Sequence, residues 1–230
     1  MQGTLYIVPT PIGNLEDMTL RAIRILKEVD LVLCEDTSVT QRLFKEYEIS
    51  TPTSVFYANT GIKNIEKTLS LLLEGKQIAL VSDAGTPTIS DPGVLLVDRV
   101  RNELPDVKVV ALPGASALIT ALSVSGISSA NFTFYGFLPH KKGRETLFKT
   151  ISESKLTSVF YESVHRIEKT LESLALILDE TRQIVIAREL TKMHEEVIRG
   201  TAQEVKKYFE DNQDHIRGEF VVIIEPKKHK

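Results

Sequence analysis

Short, strongly apolar runs alternate with amphipathic segments through the first half of this chain. The predicted strands cover residues 5–8, 31–35, 54–57, 78–81 and 107–112, and the predicted helices cover about 19–28, 40–47 and 65–74. We expect Asp17 to cap the first helix and Gly75 to end the third. Strands this apolar, separated by helices, are typical of a mainly parallel sheet whose two faces are both covered.

The pattern changes after Pro113-Gly114-Ala115-Ser116, which we interpret as a pivot between domains. Beyond it, strands are predicted at 132–135, 157–161, 183–188, 195–199 and 219–224, and helices at 144–154, 165–178 and 202–210. We therefore predict an α/β fold of two α/β/α domains, residues 1–113 and 114–226, with a cleft between them. A basic tail follows at 227–230.

Bulk composition limits the classes of protein to which the chain can belong. Of its 230 residues 42% are apolar and 26% charged, which is ordinary for a soluble globular protein. No apolar run approaches the roughly 20 residues that span a bilayer, and residues 1–11 lack the features of a secretory signal. One cysteine, Cys34, excludes an internal disulfide, so we expect a cytoplasmic protein. The net charge of −3 argues against non-specific coating of nucleic acid but allows a local basic surface.

One long loop follows the predicted strand at 78–81. Its twelve residues, 82–93, consist almost entirely of Gly, Pro, Ser, Thr and Asp. Gly85 and Gly93 can adopt backbone angles closed to other residues, whereas the prolines have fixed ones, so we expect a rigid loop. Open α/β sheets bind ligands beyond the carboxyl ends of their strands, where small side chains let backbone N–H groups approach an anion. A plain strand-to-helix connection is the alternative, although loops of this length are uncommon inside compact domains.

Several common catalytic motifs are absent from the sequence. It lacks the phosphate-binding GxxxxGK[ST], a GxGxxG after the first strand and the GxSxG of serine hydrolases. His194-Glu195-Glu196 is similar to the start of a zinc-protease helix, but Ile198 stands where the second histidine would be. The scattered histidines and single cysteine assemble no tetrahedral zinc site, so we expect no metal. A site made by loops remains.

Eight segments resemble one family and occur in its order along the chain. They are VPTPIGNL at 8–15, EDT at 35–37, SDAGTPTISDPG at 82–93, LPGASA at 112–117, GFLP at 136–139, FYESVHR at 160–166, ARELTK at 187–192 and GEF at 218–220. Together they resemble the bacterial enzymes of the tetrapyrrole-methylase superfamily that methylate a cytidine 2′-hydroxyl in the decoding region of small-subunit ribosomal RNA. The resemblance implies two α/β domains of the tetrapyrrole-methylase type with S-adenosyl-L-methionine in the cleft between them.

The resemblance also implies which residues contact this cofactor. They are Pro11, Ile12, Gly13, Asp83, Ala84, Gly85, Thr86, Ser116, Ala117, Tyr161 and Glu162. Ser82 and Ala84 stand where the superfamily has Gly and Pro, and Gly85 and Pro87 restore a similar composition one residue later.

Other departures from the family pattern lie near the second and third strands. The family usually has a His/Asn/Glu-rich segment where this chain has YANTGI at 57–62, and an Arg where it has Ser38. Many relatives carry a further small helical module that this sequence does not include. We therefore expect RNA affinity to be weaker, or to be supplied by the homodimer that the family implies.

Candidate catalytic residues follow from the chemistry of methyl transfer. Positive charge disappears as a sulfonium methyl group moves, so alignment and a water-poor site favour the reaction. A ribose hydroxyl is a weak nucleophile, and a base or a cation that stabilises its anion should help. The candidates are Glu35 and Asp36, after the second strand, and Lys192, with Arg144 as a further cation. The alternatives are helix capping for the two carboxylates and a solvated surface position for Lys192.

A basic segment at 140–144 is the candidate RNA contact. We expect Lys141, Lys142 and Arg144 to bind phosphates of small-subunit ribosomal RNA, free or in the 30S subunit, with a salt-dependent affinity. Three aromatic residues either stack on a splayed base or lie in the core: Phe134, Tyr135 and Phe137. Arg166 and Arg188 have two interpretations as well, since they either bind phosphate or pair inside the protein with a glutamate, Glu162 or Glu189.

Three functions remain open at this point. The basic segment at 140–144 favours cytidine 2′-O-methylation in small-subunit (16S) ribosomal RNA with S-adenosyl-L-methionine as methyl donor. A methylase of a corrin-type tetrapyrrole or of a translation factor would share the fold and would need an apolar trough. The departures at Ser38 and 57–62 suggest a non-catalytic module that only binds S-adenosyl-L-methionine.

Overall fold

The computed structural model describes residues 3–57, 61–91 and 93–227. Pro92 and parts of two features predicted above, the segment at 57–62 and the basic tail at 227–230, lie outside the described residues. The chain divides into two compact units, with the boundary between Ser116 and Ala117. The boundary predicted after residue 113 lies a few residues earlier.

Strands and helices alternate in the described part of the first unit. The strands are β1 (Thr4–Ile7), β2 (Leu31–Cys34), β3 (Thr53–Val55), β4 (Gln77–Leu80) and β5 (Lys108–Ala111), and the helices are α1 (Leu20–Glu28), α2 (Thr37–Glu46), α3 (Gly61–Leu73) and α4 (Val94–Glu103). The sheet order is β3-β2-β4-β1-β5, and every neighbouring pair is parallel. The predicted parallel sheet is confirmed.

Both faces of this sheet are covered by helices. Because successive strand residues point to opposite faces, Val32 and Ala79 pack with α1 and α2 on one side. Leu33 and Ile78 pack with α3 and α4 on the other side. This arrangement explains why the strands are apolar at consecutive positions instead of at every second one.

The start of α1 and the end of α3 test the predicted cap and stop residues. Thr19, not Asp17, caps α1, because its hydroxyl oxygen accepts a hydrogen bond from the Ala22 N–H at 3.1 Å. Asp17 ends a short 3₁₀ turn before that cap, so its prediction as the cap is wrong. Gly75 does follow the end of α3, with the left-handed φ of 87° that glycine adopts most easily.

The described part of the second unit has a mixed sheet. Its strands are β6 (Phe132–Phe137), β7 (Thr157–Ser163), β8 (Gln183–Arg188), β9 (Glu196–Thr201) and β10 (Glu219–Ile224), and its helices are α5 (Ala117–Ser125), α6 (Arg144–Glu153), α7 (Ile167–Ile177) and α8 (Ala202–Asp211). The sheet order is β6-β7-β10-β8-β9, in which β6 is parallel to β7 and the other pairs are antiparallel.

The core of the second unit lies between this sheet and three helices. Phe160, Ile186 and Val222 pack with α6, α7 and α8. The alternate strand residues, among them Val185 and Ile223, are also fully buried, and α5 contacts the same strands. Among the helices of the described ranges, none has the length and apolar character needed to cross a bilayer.

Candidate functional site

The loops after β1 and β4 are joined by backbone hydrogen bonds. Thr10 and Gly85 each donate their N–H to the carbonyl oxygen of the other at 3.0 Å. The Thr10 hydroxyl donates to the Ser82 carbonyl at 3.0 Å, and the Ser82 hydroxyl donates to the Gly85 carbonyl at 3.1 Å. These four bonds make one rigid platform beyond the carboxyl ends of two adjacent strands, where parallel sheets bind ligands.

Gly85 lies where these two loops meet the loop after β5. Its φ is +81°, and a Cβ at this position would lie 3.2 Å from Ile12 Cγ2 and 3.6 Å from the Ala115 carbonyl oxygen. The next residue, Thr86, donates its hydroxyl to that same Ala115 carbonyl at 2.8 Å. A side chain at position 85 would therefore both strain the backbone and fill the space between the three loops.

A second glycine brings the loop after β5 close to the loop after β1. A Cβ on Gly114 would lie 2.5 Å from Pro9 Cβ. The structure thus brings together, on three neighbouring loops, the predicted cofactor residues of the first unit: Pro11, Ile12, Gly13, Asp83, Ala84, Gly85, Thr86 and Ser116. Gly13, Asp83 and Ala84 are exposed to solvent in this unit.

Asp36 has a structural role at the end of β2. Its Oδ1 accepts the Ser38 N–H at 2.7 Å, which caps α2 and lowers the pKa of this carboxyl. The Asp36 N–H in turn donates to Asp83 Oδ1 at 3.1 Å, which ties the loop after β2 to the platform. Helix capping, the alternative considered for the two carboxylates, is what the structure has for Asp36.

Glu35 lies in a group of like charges. Burial raises the pKa of Glu35, and the carboxylates of Asp91 and Asp83 raise it further. Burial and Asp83 likewise raise the pKa of Asp91. Within the described ranges, no ion pair includes any of the three. Sequence reasoning did not single out Asp91, whose one signal was its place in the Gly/Pro loop.

Metal binding finds no support around these carboxylates. Over residues 3–57, 61–91 and 93–227, no group of three or more His, Cys, Asp or Glu side chains is arranged to hold a metal ion.

Glu162, in the second unit, is fully buried at the end of β7. Its carboxylate accepts bonds from Arg144 Nη2 at 2.9 Å and Arg166 Nε at 2.7 Å. The Thr170 hydroxyl and the Ser163 N–H donate to it as well, at 2.8 and 2.9 Å. These internal donors hold the Glu162 side chain within the second unit, and its contact with the cofactor stays a prediction.

Arg144 is likewise occupied inside the protein. Besides Glu162, it donates to the Thr170 hydroxyl at 2.6 Å and to the Pro139 carbonyl at 3.3 Å, and its guanidinium lies over the Phe148 ring. Its guanidinium therefore has a structural role, and its phosphate contact stays a prediction. Lys141 and Lys142, in the turn just before α6, are exposed. Of the predicted RNA contacts, these two keep their charges in solvent.

Tyr161 belongs to an aromatic group beside this cluster. Its ring lies 4.9 Å from that of Phe134 and 5.3 Å from that of Phe137, measured between centroids. Phe137 keeps 55% of its surface exposed. The group therefore extends from the sheet to the surface.

Lys192 follows β8 in a strained turn. Glu189 and Thr191, on either side of Leu190, have φ values of 49° and 65°, which residues other than glycine rarely adopt. Lys192 Nζ lies 2.9 Å from Glu189 Oε1; although burial opposes the charge on Glu189, this ammonium lowers its pKa. Lys192 is therefore held by a partner, unlike the solvated lysine that was the alternative.

Glu189 and Gly218 are residues of this turn whose roles sequence reasoning missed. Glu189 Oε1 also accepts the Glu219 N–H at 3.3 Å, and a Cβ on Gly218 would collide with the Glu189 carboxylate. The motifs at 187–192 and 218–220 contain both residues, but only the fold brings them together. Arg188 pairs with Glu196 at 2.7 Å, not with Glu189.

Comparison with known proteins gives the family. Residues 4–206 match the model of the Tetrapyrrole (Corrin/Porphyrin) Methylases. The chain is 48% identical over 226 residues to ribosomal RNA small subunit methyltransferase I of Bacillus subtilis (strain 168), covering 97% of this chain and 75% of that one. It is 44% identical to the protein of the same name from Thermotoga maritima, covering 98% and 100%.

Solved structures agree on the fold. Cobalt precorrin-4 methyltransferase, a cobalamin biosynthetic enzyme, superposes with a TM-score of 0.66 at 19% identity, covering 96% of this chain and 94% of that one. Identity this low bears on the fold alone, whereas the relatives at 44–48% define the closer group. The chain therefore belongs to the Tetrapyrrole (Corrin/Porphyrin) Methylases and, within them, to the family of ribosomal RNA small subunit methyltransferase I.

Proposed function

We propose that this protein transfers the methyl group of S-adenosyl-L-methionine to the 2′-hydroxyl of a cytidine in small-subunit (16S) ribosomal RNA. The family membership supports the reaction class. The observation that carries the proposal is the platform of the loops after β1 and β4, which meets the loop after β5 at Gly85. It lies at the edge of the sheet where a parallel fold binds ligands. A cytoplasmic location and a homodimer are further proposals that accompany this function.

The residues of the platform fit this cofactor. Asp83 and Ala84 are exposed beside the buried Gly85, so backbone groups of residues 83–86 are placed to approach the amino-acid end of the ligand. Pro11, Ile12 and Gly13 lie on the neighbouring loop after β1. When bound, S-adenosyl-L-methionine supplies an electrophilic methyl group on a sulfonium. The contributions of Ser116, Ala117 and Tyr161 stay predictions.

Glu35 is the proposed proton acceptor. As the oxygen–methyl bond forms and the sulfur–methyl bond breaks, the 2′-hydroxyl must lose its proton to a base. Asp36 is committed to its helix cap, whereas the raised pKa of Glu35 brings this carboxylate nearer to neutral pH, where a base works best. Lys192 remains the candidate that stabilises developing negative charge on the oxygen.

Lys141 and Lys142 are the proposed RNA contacts. Both are exposed and follow β6 in a turn that leads into α6. Ammonium groups in this setting neutralise phosphates and release counterions, so RNA affinity should fall as salt rises.

The two other functions considered from the sequence have less support. Corrin methylases share the fold at an identity of 19%, whereas the relatives at 44–48% are named for ribosomal RNA. Membership of a family of methyltransferases disfavours a non-catalytic binding module.

The decisive experiment follows a labelled methyl group. The protein is incubated with tritiated S-adenosyl-L-methionine and 30S subunits from cells that lack the modification, and the RNA is then hydrolysed in alkali. A 2′-O-methyl group blocks cleavage at its own nucleotide, so the label should appear in an alkali-resistant dinucleotide that begins with cytidine. Label in a mononucleotide, or none in RNA, would overturn the proposal.

The role of Glu35 has its own test. Glu35→Gln should lower kcat about 100-fold, the lower end of the range for a general base, and leave the cofactor Kd unchanged. In the unaltered enzyme, kcat should rise with pH through the pKa of Glu35 and then level off. Glu46→Gln, an exposed carboxylate on α2, is the matched control. A variant at position 35 with normal kcat would exclude Glu35 as the base.

A further inference from the structure

We propose that Glu162 and the two arginines that pair with it, Arg144 and Arg166, form a tether that positions the basic turn of residues 140–142 for RNA. In this Glu162 cluster, Glu162 and Arg166 are positioning residues. This inference rests on the proposed function, because it concerns how the RNA contact is held. The tether acts through the backbone of residues 138 and 139, which come directly before the turn.

Both arginines of the cluster have a second bond outside it. Arg166 Nη1 donates to the Leu138 carbonyl at 2.7 Å, and Arg144 Nη1 donates to the Pro139 carbonyl at 3.3 Å. Each guanidinium thus bridges the Glu162 carboxylate and one carbonyl. Two consecutive peptide groups are held to a carboxylate that has no exposed surface.

The other end of the turn is fixed as well. The Arg144 N–H donates to the Lys141 carbonyl at 3.3 Å, and α6 begins at Arg144 itself. Lys141 and Lys142 therefore project from a short segment anchored on both sides. Anchoring before binding reduces the conformational entropy that the RNA complex would otherwise lose.

Planar guanidinium groups suit this task better than other cations. Arginine presents several N–H donors in a fixed fork, so one side chain can satisfy a carboxylate and a carbonyl at once. An ammonium at position 166 could keep the pairing with Glu162 and would lose the bond to Leu138. Arg166→Lys therefore removes the shorter of the two tethering bonds with little change in buried charge.

The test compares two variants within the cluster. Arg166→Lys should weaken binding to unmodified 30S subunits about tenfold, raise KM for them, and leave kcat and the cofactor Kd unchanged. Thr170→Val also removes a donor to Glu162 and an acceptor from Arg144, but the Thr170 side chain takes part in neither arginine–carbonyl bond, so the 30S affinity of this variant should stay normal. Thermal unfolding of both variants reports any general loss of stability. Equal weakening by the two variants would overturn the proposal.

A double-mutant cycle then asks whether the effect passes through the lysines. The double variant Lys141→Ala/Lys142→Ala should weaken 30S binding. The slope of log affinity against log salt concentration should become shallower by the equivalent of about two phosphate contacts. Adding Arg166→Lys to this variant should cause no further loss, since residues that act as a unit are not additive. Full additivity would refute the tether. The exposed Lys207→Ala controls for loss of charge alone.

Failure of the proposed function is a separate result. If the double lysine variant binds 30S subunits normally, the turn is not the RNA contact, whatever Arg166→Lys does. If methyl transfer to RNA is absent in the unaltered protein, the reaction itself is wrong. Normal binding by the double lysine variant would overturn the tether as well, because the turn it holds would not contact RNA. A normal Arg166→Lys beside a weakened lysine variant, equal weakening by Thr170→Val, or additivity in the cycle counts against the tether alone.

Discussion

Charged side chains cluster at the ends of strands in both units, but the two clusters are built in opposite ways. In the first unit, burial and the carboxylates of Asp91 and Asp83 raise the pKa of Glu35, and burial and Asp83 raise that of Asp91. No ion pair of the described residues includes any of the three. In the second unit, Glu162 is fully buried and accepts bonds from two arginines. The first arrangement leaves its carboxylates without a cationic partner, and the second uses its carboxylate to hold the fold.

The difference suggests that the carboxylates of the first unit serve the reaction, whereas Glu162 stabilises the second unit. Uncompensated carboxylates with raised pKa values are costly to a fold and useful to a reaction that must remove a proton. A buried carboxylate with all its partners contributes to structure, because removing one partner leaves the others unpaired. The same substitution of a carboxylate by an amide should therefore have opposite effects in the two units.

The largest expected effect is the loss of stability on replacing Glu162. Glu162→Gln leaves Arg144 and Arg166 without their counter-ion, and it should lower the free energy of unfolding of the second unit by about 3 kcal/mol. Urea unfolding followed by far-ultraviolet circular dichroism measures this, with the exposed Glu180→Gln as control. A loss no larger than that of the control would mean that the cluster is not what holds this region.

Next in size is the loss of cofactor binding when a side chain at position 85 crowds the junction of the three loops. Gly85→Val forces a branched side chain into a left-handed backbone, at about 1–2 kcal/mol, and brings it against Ile12. The Kd for S-adenosyl-L-methionine, measured by calorimetry, should rise about tenfold or more. Gly143→Val is a matched control for backbone strain, since the φ of Gly143 is +86° and nothing lies within 4 Å of a Cβ added there. An unchanged Kd in Gly85→Val would show that the platform is not the binding site of the cofactor.

A smaller effect, of opposite sign to that of Glu162→Gln, is expected for Asp91→Asn. Because burial and Asp83 raise the pKa of Asp91, the folded protein binds this proton more tightly than the unfolded chain does. Stability from this group is therefore present at low pH and is lost as pH rises through the raised pKa. The variant should be more stable than the unaltered protein at pH 7.5, by less than about 1 kcal/mol for a half-exposed group.

Urea unfolding of Asp91→Asn at several pH values checks this prediction. The extra stability of the variant over the unaltered protein should shrink as pH falls toward the ordinary pKa of a carboxyl group, and it should disappear below that pH. A variant that is destabilised at pH 7.5 would show that Asp91 has a structural partner, as Glu162 does.

The smallest expected effect concerns the stability contributed by two neighbouring hydroxyl groups of β7, which differ in whether they form a hydrogen bond. Ser158 Oγ is buried without a hydrogen-bond partner in the part of the chain that the structure describes. Ser158→Ala should leave stability unchanged or raise it by about 0.5 kcal/mol. Its neighbour is the matched control, because the Thr157 hydroxyl donates to the Ser128 carbonyl, so Thr157→Val should cost about 1 kcal/mol. Equal losses in thermal unfolding would contradict this distinction.

Local patterns predicted the elements of both sheets closely. The strand predicted at 31–35 is observed at Leu31–Cys34, and those at 183–188 and 219–224 match in full. Asp17 was the exception among the caps, since the 3₁₀ turn that intervenes has no strong periodic signal. Apolar runs and turn residues are local properties, which is why the chain alone reveals them.

Contacts between distant residues could not be predicted in the same way. Arg144 has the basic neighbours of an RNA-binding segment, yet the fold brings it to Glu162 and Thr170. Glu189 meets Gly218 only because β8 and β10 are adjacent in the sheet. No local signal distinguishes a lysine in solvent from an arginine that pairs inside.

The amino-acid sequence by itself determined the alternation of strands and helices, the presence of a long Gly/Pro loop after β4 and, through its motifs, the family. Only the tertiary structure decided which charged residues are available to a ligand and which ones neutralise each other. The physical reason is distance: secondary structure depends on neighbours along the chain, whereas the state of a charge depends on whatever the fold packs against it.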